Sequence, residues 1–310
     1  MKFTRILFAA LALSACQKTS DSQKHTTDKK LPKPAYSTSQ AFNDYWYNNQ
    51  AELNHYALKQ ARYGEIRKGD AVLIFVTEHM DPEKHVKSFN EDNTDIPVLK
   101  MNMVRKFLTG IYPYSIMSSI FTPVNLAENP FTLRETFSMQ EWCGHVFTRM
   151  DFNGQGYEGE QHSYFTEEAD QGLRVPAILL EDEIFTRLRI DPGSLPEGKT
   201  ELIPSFQYLR FRHEPYEPQK AEASWTESDS TRTYSVHYTS IKRSLEVTVE
   251  KEFPYRILGF RETYQSGFGE KAHLMTSEAR LTNTLLLDYW TRNDLRDTVY
   301  RDSLGLGIYP

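Results

Sequence analysis

A period of two in its apolar residues constrains this chain's fold more than any other feature. From residue 244 to 250 the alternation is unbroken. Leu245, Val247 and Val249 fall on one side, and Glu246, Thr248 and Glu250 on the other. Successive side chains of a strand point to opposite faces, so such a run buries one face of a sheet and wets the other. Residues 71–76 (AVLIFV) are almost wholly apolar and follow Lys68-Gly69-Asp70. Residues 56–66 are the expected hairpin partner across that turn. Residues 233–239, 205–212, 131–139 and 256–264 carry the same β-branched and aromatic enrichment. Helical signals are few. One lies at residues 40–47. A second is capped by Asn293, buries Leu295 and Val299 at i, i+4 spacing, and ends near Gly305. The expected fold is mainly β: a large curved antiparallel sheet or partly open barrel, with one or two short helices packed on it. Many strand segments are charged on both faces, which is not the pattern of an outer-membrane barrel.

The N-terminus follows a different logic. Lys2 and Arg5 precede an uncharged apolar stretch, residues 6–13, and Leu13-Ser14-Ala15-Cys16 follows. The stretch falls short of the roughly 20 residues that span a bilayer, so it reads as a signal-peptide core. Leu-Ser-Ala-Cys resembles the lipobox of bacterial lipoproteins. That resemblance implies thioether lipidation of Cys16, removal of residues 1–15 and acylation of the new amino terminus. The expected partner of this end is a membrane, at roughly 0.8 kcal/mol per buried CH₂. Residues 16–40 then form a lipidated cysteine and a flexible tether, polar and carrying Pro32 and Pro34, with too little apolar surface to offset ordering entropy. Residues 41–310 are the globular body, with a possible subdivision at the Pro/Gly-rich loop 191–198. Gln17 after the cysteine favours the outer membrane within the cell envelope.

Charge and cysteine count narrow the function classes. The formal net charge is −6. Loss of Lys2 and Arg5 with the signal peptide takes it to −8 (−6 − 2). This argues against nucleic acid, whose binding needs Lys and Arg to neutralise phosphates. With Cys16 used by the anchor, Cys143 is the second of two cysteines, and no intramolecular disulfide can form. The fold must stand on core burial.

The stretches ELNHYALKQARYGEIRKGDAVLIFVTE, FLTGIYPYSIMSSIFTPV and MQEWCGHVF resemble those of uncharacterised lipoproteins from Bacteroidota-type bacteria, over most of residues 41–310. Some such proteins carry the label "septum formation inhibitor Maf". Maf proteins are α/β nucleotide pyrophosphatases with a Ser/Pro/Arg-rich phosphate loop near the N-terminus. This chain has no such loop and a β pattern, so the label is a naming artefact. The resemblance implies compartment and fold, and no chemistry.

Candidate site residues are sparse. Glu141, Cys143 and His145 would share one face of a strand, and a thiol, an imidazole and a carboxylate together suggest a nucleophile. Neighbours at i, i+2 sit about 6.5–7 Å apart, too far for a direct hydrogen bond without leaning. The alternative is a buried Cys acting as a small hydrophobe. Gly154-Gln155-Gly156-Tyr157-Glu158-Gly159 matches G-x-G-x-x-G, but a strand-like run follows where a dinucleotide fingerprint needs a helix. No cofactor is expected. Glu78, His79, Asp81 and His85 gather ligand types in a charged loop, yet no metal spacing is present. Glu181-Asp182-Glu183 reads as three solvated acids at a strand end, since catalytic pairs face each other across a cleft. Phe107-Leu108 and residues 111–117 are rich in rings that serve either a core or a groove. The expected function is a membrane-anchored, non-enzymatic envelope lipoprotein whose concave sheet face binds an apolar or amphipathic ligand, or packs against a partner protein. The alternatives are an envelope hydrolase or thiol enzyme using Cys143 and His145, and a structural subunit of an envelope complex.

Overall fold

The computed structural model describes residues 38–89, 94–166 and 168–307. The signal peptide, Cys16 and the tether up to residue 37 lie outside that set, while residues 38–40 lead into and open a helix. A short helix, α1 (Gln40–Trp46), leads into eight strands: β1 (Ala51–Arg62), β2 (Glu65–Met80), β3 (Ile96–Thr109), β4 (Tyr112–Pro123), β5 (Arg134–Glu141), β6 (Gly144–Phe152), β7 (Gly156–Ser163) and β8 (Gln171–Pro176). Then come β9 (Leu179–Leu180), a 3₁₀ turn (Glu181–Glu183), α2 (Ile184–Ile190), β10 (Gly198–Ile203) and α3 (Phe206–Arg212). Five strands complete the sheet: β11 (Gln219–Glu227), β12 (Thr231–Tyr238), β13 (Arg243–Glu250), β14 (Ile257–Ser266) and β15 (His273–Leu287). The chain closes with a 3₁₀ turn (Leu295–Thr298) and α4 (Val299–Ser303). Among the described residues no helix is long and apolar enough to cross a membrane.

All fifteen strands belong to one sheet, ordered β8-β7-β6-β5-β4-β3-β2-β1-β15-β14-β13-β12-β11-β10-β9. Every pair is antiparallel except β9 with β10. The mainly β expectation is met, and the sheet is open. Its two edge strands are neighbours in sequence: only Ala177 and Ile178 separate Pro176 of β8 from Leu179 of β9. Three residue steps reach at most about 10 Å. The sheet therefore curls until its edges nearly meet, without a ladder between them.

The alternation expected at residues 244–250 appears in β13, where Leu245, Val247 and Val249 are fully buried. Other expectations change. Lys68-Gly69-Asp70 is no turn, because β2 runs straight through it. The hairpin turns instead at Tyr63-Gly64, both at positive φ, and Gly69 meets the Lys106 carbonyl so closely that a Cβ would lie 2.2 Å from it. Residues 205–212 form α3, not a strand. All of Phe206 through Phe211 is buried, and a helix enclosed on every side lacks the polar stripe that would mark its period. Among the described residues there are four short α-helices rather than one or two. The C-terminal helix exists but is split, and Leu295 and Val299 are exposed. Its anchor is Leu304, buried with Ala51, Leu53 and Val76 on the outer face of the sheet. The loop at 191–198 links α2 to β10 within the one sheet.

Candidate functional site

The hollow of the sheet is the natural place for a ligand, and the chain fills it with itself. The segment 179–216 carries Leu180, Ile184, Phe185, Leu188, Phe206, Leu209 and Phe211 into the main core. Phe185 packs edge-on to Phe260 of β14, and Phe211 edge-on to Tyr114 of β4. The plug thus touches both halves of the sheet.

Its polar residues are buried too. Glu181, Asp182 and Glu183 are enclosed rather than solvated. The reason is pairing, since a buried charge persists only with partners. Glu181 accepts from Arg243 Nε at 2.9 Å and from the Tyr238 hydroxyl at 2.7 Å. Asp182 accepts from the Phe206 backbone N–H at 3.0 Å, at the start of α3. Glu183 accepts from Thr132 at 2.8 Å and Arg187 at 3.0 Å. Arg189 of α2 reaches Glu52 of β1 through two bonds of 2.5 and 2.7 Å. Burial alone would raise the Glu52 carboxyl, but Arg189, Tyr45 and Asn54 outweigh it and hold the group below its usual range. Arg105 and Glu262 make a further buried pair at 2.5 Å. These contacts lock a plug into a sheet.

Glu135 is the exception. It points inward from β5 between Ile120 and Met150, is 0% exposed, and neither of its oxygens meets a hydrogen-bond donor. Burial first, then the Asp182 carboxylate, pushes its carboxyl well above the ordinary range. Both causes favour its neutral form over the carboxylate.

The thiol candidate takes a different form from the one its sequence suggests. Trp142 and Cys143 are the tip of the β5–β6 hairpin, not part of a strand. Cys143 is exposed, so it is no core hydrophobe. Its backbone N–H donates to Glu141 Oε2 at 2.8 Å, and the same carboxylate pushes the thiol up. His145 is exposed on the opposite arm. The loop carrying Glu78, His79, Asp81 and His85 spends its groups separately. Glu78 meets Lys87 and Lys100 at 3.2 and 3.5 Å, and Asp81 accepts from the backbones of Glu83 and Lys84. His85 lies 3.6 Å from Asp151, on the wall of an open polar cleft of about 960 Å³. Among the described residues no three such groups converge as a metal site.

The feature that stands out lies at one end of the sheet. The meander puts the β1–β2, β3–β4, β5–β6, β7–β8, β12–β13 and β14–β15 connections on a single rim, together with the C-terminus of α3. Ile111 is 81% exposed there, Trp142 68% and Tyr164 76%. Ring contacts run around it. Trp142 meets Tyr112 at 6.2 Å, and Tyr112 meets Tyr114 at 5.9 Å. The Tyr114 and Tyr63 hydroxyls are 2.8 Å apart, and Tyr63 meets Phe268 at 6.5 Å. From Phe268 the circuit crosses His213 at 6.2 Å. Arg210, bonded to His213, lies 4.6 Å over Phe165, which packs on Tyr164. Tyr164 lies against Gly144, two residues after Trp142 in the same hairpin, where any Cβ would be 3.0 Å from it. The contacts thus run from the tip of the β5–β6 hairpin round to its other arm. Arg62 stands among them, 4.1 Å from the Tyr63 ring and 4.3 Å from Phe211.

Sequence reasoning found members of this rim, Leu108 and residues 111–117, without seeing that they share it. With the adjoining Phe107, a third of those residues went to the core: Phe107, Tyr114 and Ile116 are buried. The buried acids were missed because adjacent charges signal solvent unless distant partners, such as Arg243 62 residues and Tyr238 57 residues from Glu181, are known. A third polar line was also missed: on the outer face, His55 bridges Asp70 at 2.9 Å and Thr282 at 2.6 Å. Thr282 is the extra residue of a β-bulge between β15 and β1. No protein-family model matches the chain, and neither a curated protein nor a solved structure does.

Proposed function

We propose that the chain is a membrane-anchored envelope lipoprotein, held at the outer membrane by lipid on Cys16, whose body is a non-enzymatic recognition module for a partner protein. The observation that carries this reading is the set of exposed side chains on one rim, Ile111, Trp142, Tyr164 and Phe268, backed by the buried ring of Tyr114 and the buried guanidinium groups of Arg62 and Arg210. A small apolar ligand needs a concave pocket that encloses most of its surface. Here the hollow is filled and the rings protrude. Trp, Tyr and Arg are the residues from which protein-binding hot spots are built, and on this rim they are already held in place by one another. Pre-placed side chains lose little entropy on binding. The thiol-enzyme alternative gains no support, because a raised thiol is a poorer source of thiolate.

The test is isolation of the full chain from its own envelope under mild conditions, beside a Trp142→Ala/Ile111→Ser variant. One polypeptide should accompany the natural chain in fixed ratio. Its affinity for the variant should fall roughly 30-fold or more, the equivalent of losing ~2 kcal/mol at a hot spot. Equal binding by both forms, or a bare monomer from the natural chain, would remove this reading.

A further inference from the structure

The opposite end of the body carries a second exposed patch. It is made by the C-terminus of α1, the loop after β2 and the segment after β15. Tyr47, Lys87 and Trp290 line one groove of about 400 Å³. Phe89 is 86% exposed beside it, with the Lys87 ammonium 5.6 Å over its ring. Leu295 is 92% exposed, and Val299 follows one turn later on the same segment. No core position explains these side chains.

Their place in the chain matters. The body begins at Thr38, just before α1. Phe42 and Tyr45 of α1 pack on Phe253, in the β13–β14 connection at this end of the sheet. The first residue of the body, Thr38, therefore lies on the end that bears the patch, and the aromatic rim is at the far end of the strands.

We infer that this patch is a bilayer-contact surface, which seats the tethered body end-on at the membrane and turns the aromatic rim away from it. The inference rests on the proposed lipid at Cys16 for bringing the body to a bilayer, and on the patch for the contact. Trp and Tyr with a nearby Lys are the residues that settle at the headgroup level of a membrane. Phe and Leu at protruding positions suit the acyl boundary beneath. The charge balance selects the lipid. Residues 288–303 carry four acids (Asp288, Asp294, Asp297, Asp302) and three arginines (Arg292, Arg296, Arg301). A surface so balanced gains nothing from anionic headgroups, so the fit is to a zwitterionic bilayer.

Tryptophan quenching by phosphatidylcholine vesicles with brominated acyl chains tests this on the full chain. Two exposed tryptophans mark the two ends: Trp290 at the patch and Trp142 on the rim. The expected result is quenching that is largely lost in Trp290→Phe and kept in Trp142→Phe. Phe89→Ser/Leu295→Ser should weaken it without changing the near-ultraviolet circular dichroism of the fold. Adding anionic lipid should not strengthen it. Quenching that survives Trp290→Phe, or a membrane-bound chain with no quenching, overturns the inference. Flotation of the natural chain against Cys16→Ser reads the anchor separately. If neither floats, the anchor proposal falls, and the patch is then judged by Trp290 quenching at excess lipid: present, it stands; absent, it does not.

Discussion

Glu135 makes a prediction at the scale of one residue. Its folded-state carboxyl titrates well above the ordinary value of 4.5, through burial and the acids facing it. Below that ordinary value the folded and unfolded chains are both protonated there, and the group costs nothing. As pH rises past it, the unfolded chain releases its proton and the folded chain does not, so the folded state binds more protons and stability falls. The loss continues until the raised folded value is reached. Glu135→Gln has no proton to lose. Urea denaturation of the two forms should give curves of stability against pH that diverge upward from about 4.5, with the Gln variant the more stable at neutral pH. Parallel curves would mean that Glu135 is ionised or solvated in the fold. The sequence offered no hint of this, because the flanking Arg134 and Thr136 make residue 135 look like one more position on a wet strand face.

At the scale of an element, the plug formed by residues 179–216 is held by charge pairs as much as by packing. Arg189 and Glu52 are both fully buried, and Arg189 is wedged between the rings of Trp46 and Phe75, 4.9 Å from each. Breaking such a pair leaves a lone buried charge and costs about 3–5 kcal/mol. Arg189→Met should cost that much by chemical denaturation, and Arg189→Met/Glu52→Gln should recover part of it. A single-variant cost below about 1 kcal/mol would show that water reaches Glu52. Strands such as β13 were legible because one face meets core and the other meets water, which writes a period of two into the sequence. Neither α2 nor α3 was legible: both lie within the hollow, every residue of α2 is buried, and arginines that look solvated are the partners of acids across the sheet. The hydrophobic pattern reports exposure, so an element with none leaves no periodic trace.

The whole molecule is organised around a seam in the middle of its chain. The N- and C-terminal strands, β1 and β15, pair at the centre of the sheet, and the free edges fall at β8 and β9. Protection should follow that order. Amide hydrogen exchange should be slowest in β1, β2 and β15, and fastest in β8, whose outer edge carries no ladder. Uniform protection from β8 to β15 would mean that the seam is closed by pairing. The sheet itself was readable from the sequence, but the seam was not, because alternation fixes which face a residue takes and says nothing about which strand lies beside it.

The same pairing sets an order of events during biosynthesis. Each half of the sheet can grow by local hairpins as it emerges, yet β1, the first strand made, must wait more than 200 residues for its second neighbour, as the registry of Leu53 with Leu285 makes plain. Until then a long, half-apolar strand has an unpaired edge, the kind of edge that recruits other chains. Contacts so distant in sequence also form slowly. A ribosome that stops before residue 273 therefore releases a product with two such edges, β1 and β14, and nothing in the chain to cover either. For this architecture one late strand, β15, covers the open edges of β1 and β14 together.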